Sequence, residues 1–247
     1  MGRSLHAGNV TSLPGPDIRK FMQKPQKSGA WNVVCVGAHP DDAETGCGGT
    51  LAKLAAQGHN VTIVYLTRGE AGIRDGQHGA TAQIRTAEAL RACNLLGTSA
   101  AFSNQIDGET STDRQRFREF GELLTSLEPD IVFTHWPIDT HRDHRTAALL
   151  AYDVWQNASE RFALVYYEVM TGIQTHHFQP NCYIDISPTW ERKQSAIYAH
   201  VSQGPGRFYP YHAEMETRRG AEADMPRAEA FFVVQEKVPQ PYFAVAV

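Results

Sequence analysis

The chain has 247 residues, with 23 basic and 27 acidic side chains, a net charge of −4 and 42% hydrophobic residues. This is ordinary globular composition, and a chain of this size buries a core without disulfide or metal staples. The charge balance lacks the basic stripe of a nucleic-acid binder, and no apolar run approaches the ~20 residues that a membrane-spanning helix requires.

Residues 1–28 read as an N-terminal arm. The arm carries Arg3, Arg19, Lys20, Lys24 and Lys27 against Asp17 alone, and it lacks the apolar centre of a signal peptide. Residues 29–247 read as one domain. Cys35, Cys47, Cys93 and Cys182 form no CxxC pair, and buried free thiols in a reducing compartment are the expectation. Unless a signal was removed upstream, the expected location is cytoplasmic.

The first strong element is residues 32–37, whose near-continuous apolar run suits a parallel strand buried on both faces. A helix is predicted over 48–57, closed by Gly58, then a strand over 61–66 and a Gly-rich loop over 67–80. A long helix follows over 81–96, with Ile84, Ala87, Leu90, Ala92 and Leu95 as core positions. A short strand at 100–102, a helix at 113–127, a strand at 131–134 and a helix at 143–157 complete the strand–helix alternation. Beyond these lie strands at 164–167 and 182–185, a helix at 188–199, a loop-like stretch after Gly204 and a strand at 230–234. The alternation predicts an α/β fold: a Rossmann-like three-layer sandwich around a mostly parallel sheet. An apolar tail, PYFAVAV, offers a surface for a homo-oligomer.

Ligands of open α/β sheets bind beyond the carboxyl ends of the strands. Two polar clusters occupy such places. His39, Asp41, Asp42 and Glu44 follow the first strand, and His141, Asp143 and His144 follow the fourth. Carboxylates this close repel one another, more so when partly buried, and a cation relieves that repulsion. Imidazole and carboxylate ligands suit zinc, and ferrous iron accepts the same set. The bland alternative is a solvated turn in which Asp41 or Asp42 caps a helix. HxxH alone is weak; the pairing of both clusters at strand ends makes the signal strong.

The segment AHPDDAE, followed about a hundred residues later by HRDH, resembles the LmbE-like, or PIG-L, de-N-acetylase family. An alanine stands between the second aspartate and the glutamate. The resemblance extends to LTRGEAG, IRTAEALRACNLLG and KQSAIYAHVSQ, so it runs over residues 32–203. It implies hydrolysis of an N-acetyl amide on an N-acetylglucosamine-type conjugate. His39, Asp42 and His144 then match the metal ligands and Asp41 the general base. His141 matches the group that stabilises the oxyanion and protonates the leaving amine, with Asp143 orienting it and raising its pKa. The resemblance further places Arg68 at the substrate. Glu70 and nearby glycines are expected to form a lip over the pocket, and His200 to line it. Trp136, Phe208, Tyr209 and Tyr211 are alternative sugar platforms or packing residues.

Three other readings stay open at this stage. One is an amidase acting on a thiol conjugate or an antibiotic intermediate. Another is a non-hydrolytic Rossmann-type ligand-binding protein, disfavoured because GAHPDD stands where GxGxxG would. The third is a non-catalytic metal protein, disfavoured because Asp41 accompanies every ligand.

Overall fold

The computed structural model describes residues 29–158 and 162–234. The N-terminal arm and the PYFAVAV tail therefore lie outside the described residues. Strands β1 (Asn32–Gly37), β2 (Asn60–Thr67), β3 (Ser99–Gln105), β4 (Ile131–His135) and β5 (Ala163–Tyr167) alternate with helices α1 (Asp42–Ala56), α2 (His78–Leu96), α3 (Arg114–Ser126) and α4 (Arg142–Asn157). Then come β6 (Cys182–Asp185), α5 (Trp190–Tyr198), α6 (Tyr209–Glu222) and β7 (Ala228–Val233).

The seven strands lie in the order β3-β2-β1-β4-β5-β7-β6. The first five pair in parallel, while β7 runs antiparallel to both β5 and β6. Strand order reverses between β1 and β4, the switch point at which such sheets open a crevice. Along β1, Val33 and Cys35 face one apolar layer with α1, α2 and α5, while Val34 and Val36 face the other with α3 and α4. Burial on both faces accounts for the unbroken VVCV run, and the three-layer expectation holds. All four cysteines are buried thiols, none in a disulfide.

Several predicted elements need correction. Helix α1 starts at Asp42, not at residue 48, because its glycines are sites of close packing rather than breaks. A Cβ on Gly46 would collide with the ring of Tyr167, and one on Gly49 would sit 2.7 Å from Ile186. Helix α2 starts at His78, and its buried face is Thr81, Arg85, Glu88, Ala89, Ala92, Cys93 and Leu96. Of the predicted core positions only Ala92 is buried; Ile84, Ala87, Leu90 and Leu95 are exposed. The helix turns Arg85 and Glu88 inward, so apolar periodicity pointed to the wrong face. Helix α6 occupies the stretch expected to be loop after Gly204.

Candidate active site

Strand β1 delivers the chain into a tight turn, where a Cβ on Gly37 would lie 3.3 Å from Asp42 Cβ and Ala43 N. His39 N donates to Asp42 Oδ2 at 2.7 Å, which fixes the first acidic cluster on the end of α1. Strand β4 ends at His135, and Asp139 organises the turn between that strand and α4. Its Oδ1 accepts from His141 N at 2.7 Å, and its Oδ2 lies 3.0 Å from His144 Nδ1. The two strand ends are neighbours, so the clusters meet: ring centroids of His39 and His144 are 5.4 Å apart.

Asp42 lies between the two imidazoles. Its Oδ2 is 3.2 Å from His39 Nδ1, and its Oδ1 is 3.2 Å from His144 Nε2. On the far side of His39, Nε2 is 3.2 Å from both Asp107 Oδ1 and Asp143 Oδ2. Carboxylates at His39 Nε2 and at His144 Nδ1 hold a proton on each of those nitrogens. In the neutral rings the lone pairs of the opposite nitrogens face Asp42, the usual support of metal-binding histidines. Ligand atoms about 2.0–2.1 Å from a tetrahedral zinc lie about 3.3 Å from one another; each imidazole meets that spacing against a different oxygen of Asp42. Electrostatics point the same way. Burial opposes a proton on His39, yet Asp107, Asp143 and Asp42 outweigh it and raise the pKa well above its ordinary value. His144 is also penalised by burial, but Asp42 and Asp139 push it up to about 9. Burial would raise Asp42, but His144 and His135 hold it well below the usual carboxylate range. The pocket demands positive charge.

Three overlapping groups of potential ligands surround this point: His39/His141/His144, Asp42/His135/His144 and His39/Asp107/Asp143. Hydrogen bonding sorts them. His135 Nε2 accepts from Ala38 N at 3.1 Å, so that lone pair is engaged. His141 Nδ1 accepts from Asp143 N at 3.3 Å, which places the proton of the neutral ring on Nε2. Asp107 and Asp143 stand behind His39.

Asp41 occupies the N-cap position of α1 but makes no side-chain capping bond. The capping alternative is thereby removed for Asp41. Its φ of 113° lies in the left-handed region, a conformation that costs about 1–3 kcal/mol for a residue with a side chain. Burial pushes its pKa up to about 6, against the opposing pull of Arg85, whose Nη2 is 3.4 Å from Oδ1. Arg85 also donates to Pro40 O, and it fills the space beside Gly69 and Gly72 where a Cβ would collide with its Nη1.

The expected Asp143–His141 pairing is not what the structure has. Asp143 accepts from Thr110 Oγ1 at 2.6 Å and Gly108 N at 2.8 Å, besides its contact with His39. Its link to His141 runs only through its own backbone N–H. Burial, then the charges of His39 and His144, lower the pKa of His141 instead of raising it.

A cavity of about 410 Å³ opens over these groups. His39, Asp41, Asp42, His141 and His144 are in its wall, whereas Arg68, Glu70 and His200 are not. Arg68 reaches Thr86 and Asn104 and stacks over Phe102. Glu70 Oε2 accepts from the backbone of Arg68 and Asp107, so it shapes the loops instead of covering the pocket. His200 is buried behind Asp41, 2.9 Å from Glu44 Oε1, which also accepts from Tyr65 OH. Phe208 does line the cavity. Trp136 packs against Tyr166, Phe178 and Phe232, Tyr209 is buried and Tyr211 is exposed. Sequence reasoning missed His135, Asp107, Asp139 and Arg85. The strand-end rule, applied to every polar residue just after β3 and β4, would have found the first three.

The chain matches the family model described as GlcNAc-PI de-N-acetylase over residues 34–155. It is 31% identical to diacetylchitobiose deacetylase of Thermococcus kodakarensis over 70% of each chain. It is 25% identical to 4-oxalmesaconate hydratase of Pseudomonas putida, over 87% of this chain and 88% of that one. Among solved structures, N,N′-diacetylchitobiose deacetylase from Pyrococcus horikoshii superposes with a TM-score of 0.76 at 27% identity, covering 88% of each chain. With both motifs meeting at one switch point and similarity of this extent, the chain belongs to the PIG-L, or LmbE-like, family of de-N-acetylases.

Proposed function

We propose that the protein is a zinc-dependent N-deacetylase that removes the acetyl group from an N-acetylglucosamine-type conjugate. The observation that carries this reading is a half-buried carboxylate in the cavity wall, Asp41, beside two imidazoles that are each backed by a carboxylate and converge on Asp42. His39, Asp42 and His144 would hold the ion. A bound divalent cation supplies Lewis acidity, which polarises an amide carbonyl and acidifies water.

The chain's own groups divide the remaining work. Asp41 takes the proton of the attacking water, a task suited to a carboxyl whose pKa stands at about 6. His141, with its proton on Nε2, donates to the developing oxyanion. As the C–N bond breaks, the proton held by Asp41 passes to the leaving nitrogen, so that one amide and one water give one acetic acid and one free amine. Asp143, Asp107 and Asp139 position the histidines. Ferrous iron fits the same donors, so the metal is assigned by analysis of purified protein.

The hydratase relative raises a second reading, addition of water to an unsaturated acid. Such a substrate needs cations for its carboxylates. Among the described residues the cavity wall has one, Arg85, already committed to Asp41 and Pro40 O. A neutral amide fits the wall better. A homo-oligomer and a cytoplasmic location belong to the same proposal; no helix among the described residues is long and apolar enough to cross a membrane.

The test is acetate and free-amine release from a panel of N-acetylated amino sugars, including N,N′-diacetylchitobiose, with and without a chelator. Release that stops on chelation and returns with zinc is expected. Absence of release from every zinc-loaded reaction refutes the deacetylase reading.

A further inference from the structure

One polar group in the cavity wall has no part in the hydrolytic chemistry. His212 is on α6, away from both motif clusters, and it is 1% exposed. It lines the same cavity as His39 and Asp41. Its Nδ1 is shielded from solvent and has no hydrogen-bond partner among the described residues. A buried polar atom without a partner is uncommon and costly, so it calls for a ligand. Phe208 stands one turn away on the cavity side, its ring 6.3 Å from that of His212 and at 83° to it. Gln174 and Gln203 also line the cavity.

We propose that His212 recognises a hydroxyl group of the substrate's sugar ring, beside a ring face packed on Phe208. The inference rests on the amino-sugar reading of the site. Burial, then the charge of Lys193, pushes the pKa of His212 down to about 3 against the pull of Asp42, so the imidazole is neutral at working pH. A neutral imidazole has one donor and one acceptor. A hydroxyl matches either nitrogen, since it both donates and accepts. A carboxylate accepts only, so it cannot satisfy the acceptor nitrogen of a neutral imidazole. His212 thus selects for a polyhydroxylated amide over a simple or anionic one.

The experiment is calorimetric binding of N-acetylglucosamine and its 3-deoxy, 4-deoxy and 6-deoxy analogues to zinc-loaded protein. In the wild type one deoxy analogue should bind about tenfold more weakly than the parent sugar. In His212→Phe the parent should lose about tenfold, and that one analogue should no longer differ from it, with zinc content unchanged. Should His212→Phe fail to fold by circular dichroism, His212→Ala replaces it. The proposal is overturned if the variant keeps the wild-type ranking of the four sugars, or if the wild type binds none of them. Failure of the deacetylase reading shows separately, as absence of acetate release by the wild type.

Discussion

Asp143→Asn separates two roles for one carboxylate. Family resemblance assigns Asp143 to His141; the structure assigns it to His39. The side chain is fully buried and accepts from Thr110 Oγ1 at 2.6 Å, Gly108 N at 2.8 Å and His39 Nε2 at 3.2 Å. Asparagine keeps the shape but has one acceptor oxygen instead of two, and its NH₂ cannot accept the His39 proton. Loss of a carboxylate behind a metal-binding histidine typically costs 10–100-fold in metal affinity. That is about 1.4–2.8 kcal/mol. Asp107 Oδ1 lies equally close to the same nitrogen and retains part of the support, so the loss should fall near the tenfold end. Asp107→Asn combined with Asp143→Asn should pass the upper end. The assay is zinc competition against a chromogenic chelator, run beside acetate release at saturating zinc. Weaker zinc binding, with turnover largely restored by excess zinc, is the expected outcome. Unchanged zinc affinity with a depressed saturated rate would return Asp143 to His141 and refute the assignment.

Asp41→Asn should retain zinc and lose at least about 100-fold in turnover, since it removes only the proton acceptor; undiminished acetate release discards the base assignment. Lys193→Met strands two buried carboxylates, because Lys193 Nζ lies 2.8 Å from Glu216 Oε1 and 2.6 Å from Glu229 Oε1. Breaking such a pair costs about 3–5 kcal/mol, which urea unfolding would report; a loss under about 1 kcal/mol contradicts the ion-pair account. The depressed pKa of His212 makes a pH prediction. Its folded value is about 3, and the unfolded value is near 6.5. Between the two the unfolded chain binds the extra proton. Stability from this group is therefore intact above about pH 6.5 and falls as pH drops toward 3, by at most about 1.4 kcal/mol per unit. Urea midpoints of wild type and His212→Asn compared at pH 7 and pH 5 should show the wild type losing more; parallel losses negate the linkage.

The fold is legible in the sequence wherever burial is symmetric. Strand β1, apolar on both faces, and the strand–helix alternation up to α4 need nothing but hydrophobic pattern. Legibility fails where polar residues point inward. Arg85 and Glu88 on α2 are buried because Gly69 and Gly72 make room for one and Ser202 meets the other. Equating buried with apolar therefore rotates that helix and turns Ile84, Leu90 and Leu95 inward. Gly46 and Gly49 read as helix breakers because the side chains they admit, Tyr167 and Ile186, lie over a hundred residues away in sequence. The principal ligand candidates are legible because they are crowded into two short segments. Asp107 and Asp139 belong to no cluster, so only their places just after β3 and β4 point to them. Asp143 is visible as a neighbour of the ligands, but its partner is not: adjacency to His141 in sequence is no guide to which way a helical side chain points.

The same topology that serves nucleotide binding in related architectures is here proposed to serve a cation, and the helix termini bear on how. The first turns of α1 and α4 are at the crevice, and each offers unpaired N–H groups with a partial positive charge. Where the loop is glycine-rich, that field receives an anionic ligand. In this chain the anions are its own: Asp42 and Glu44 in the first turn of α1, and Asp143 in that of α4. Asp42 and Asp143 stay ionised in spite of burial. For Asp42 the opposing force comes from His144 and His135. For Asp143 it comes from His39, Thr110 and the Gly108 N–H. A phosphate has no place beside them, whereas a divalent ion neutralises them. Asp41 differs because its left-handed backbone turns it out of the capping geometry, leaving no N–H bonded to it. Burial then dominates and its pKa rises. Two adjacent aspartates are thus pushed in opposite directions, one toward permanent charge and one toward reversible protonation. That divergence is what a ligand and a base require of a single dipeptide.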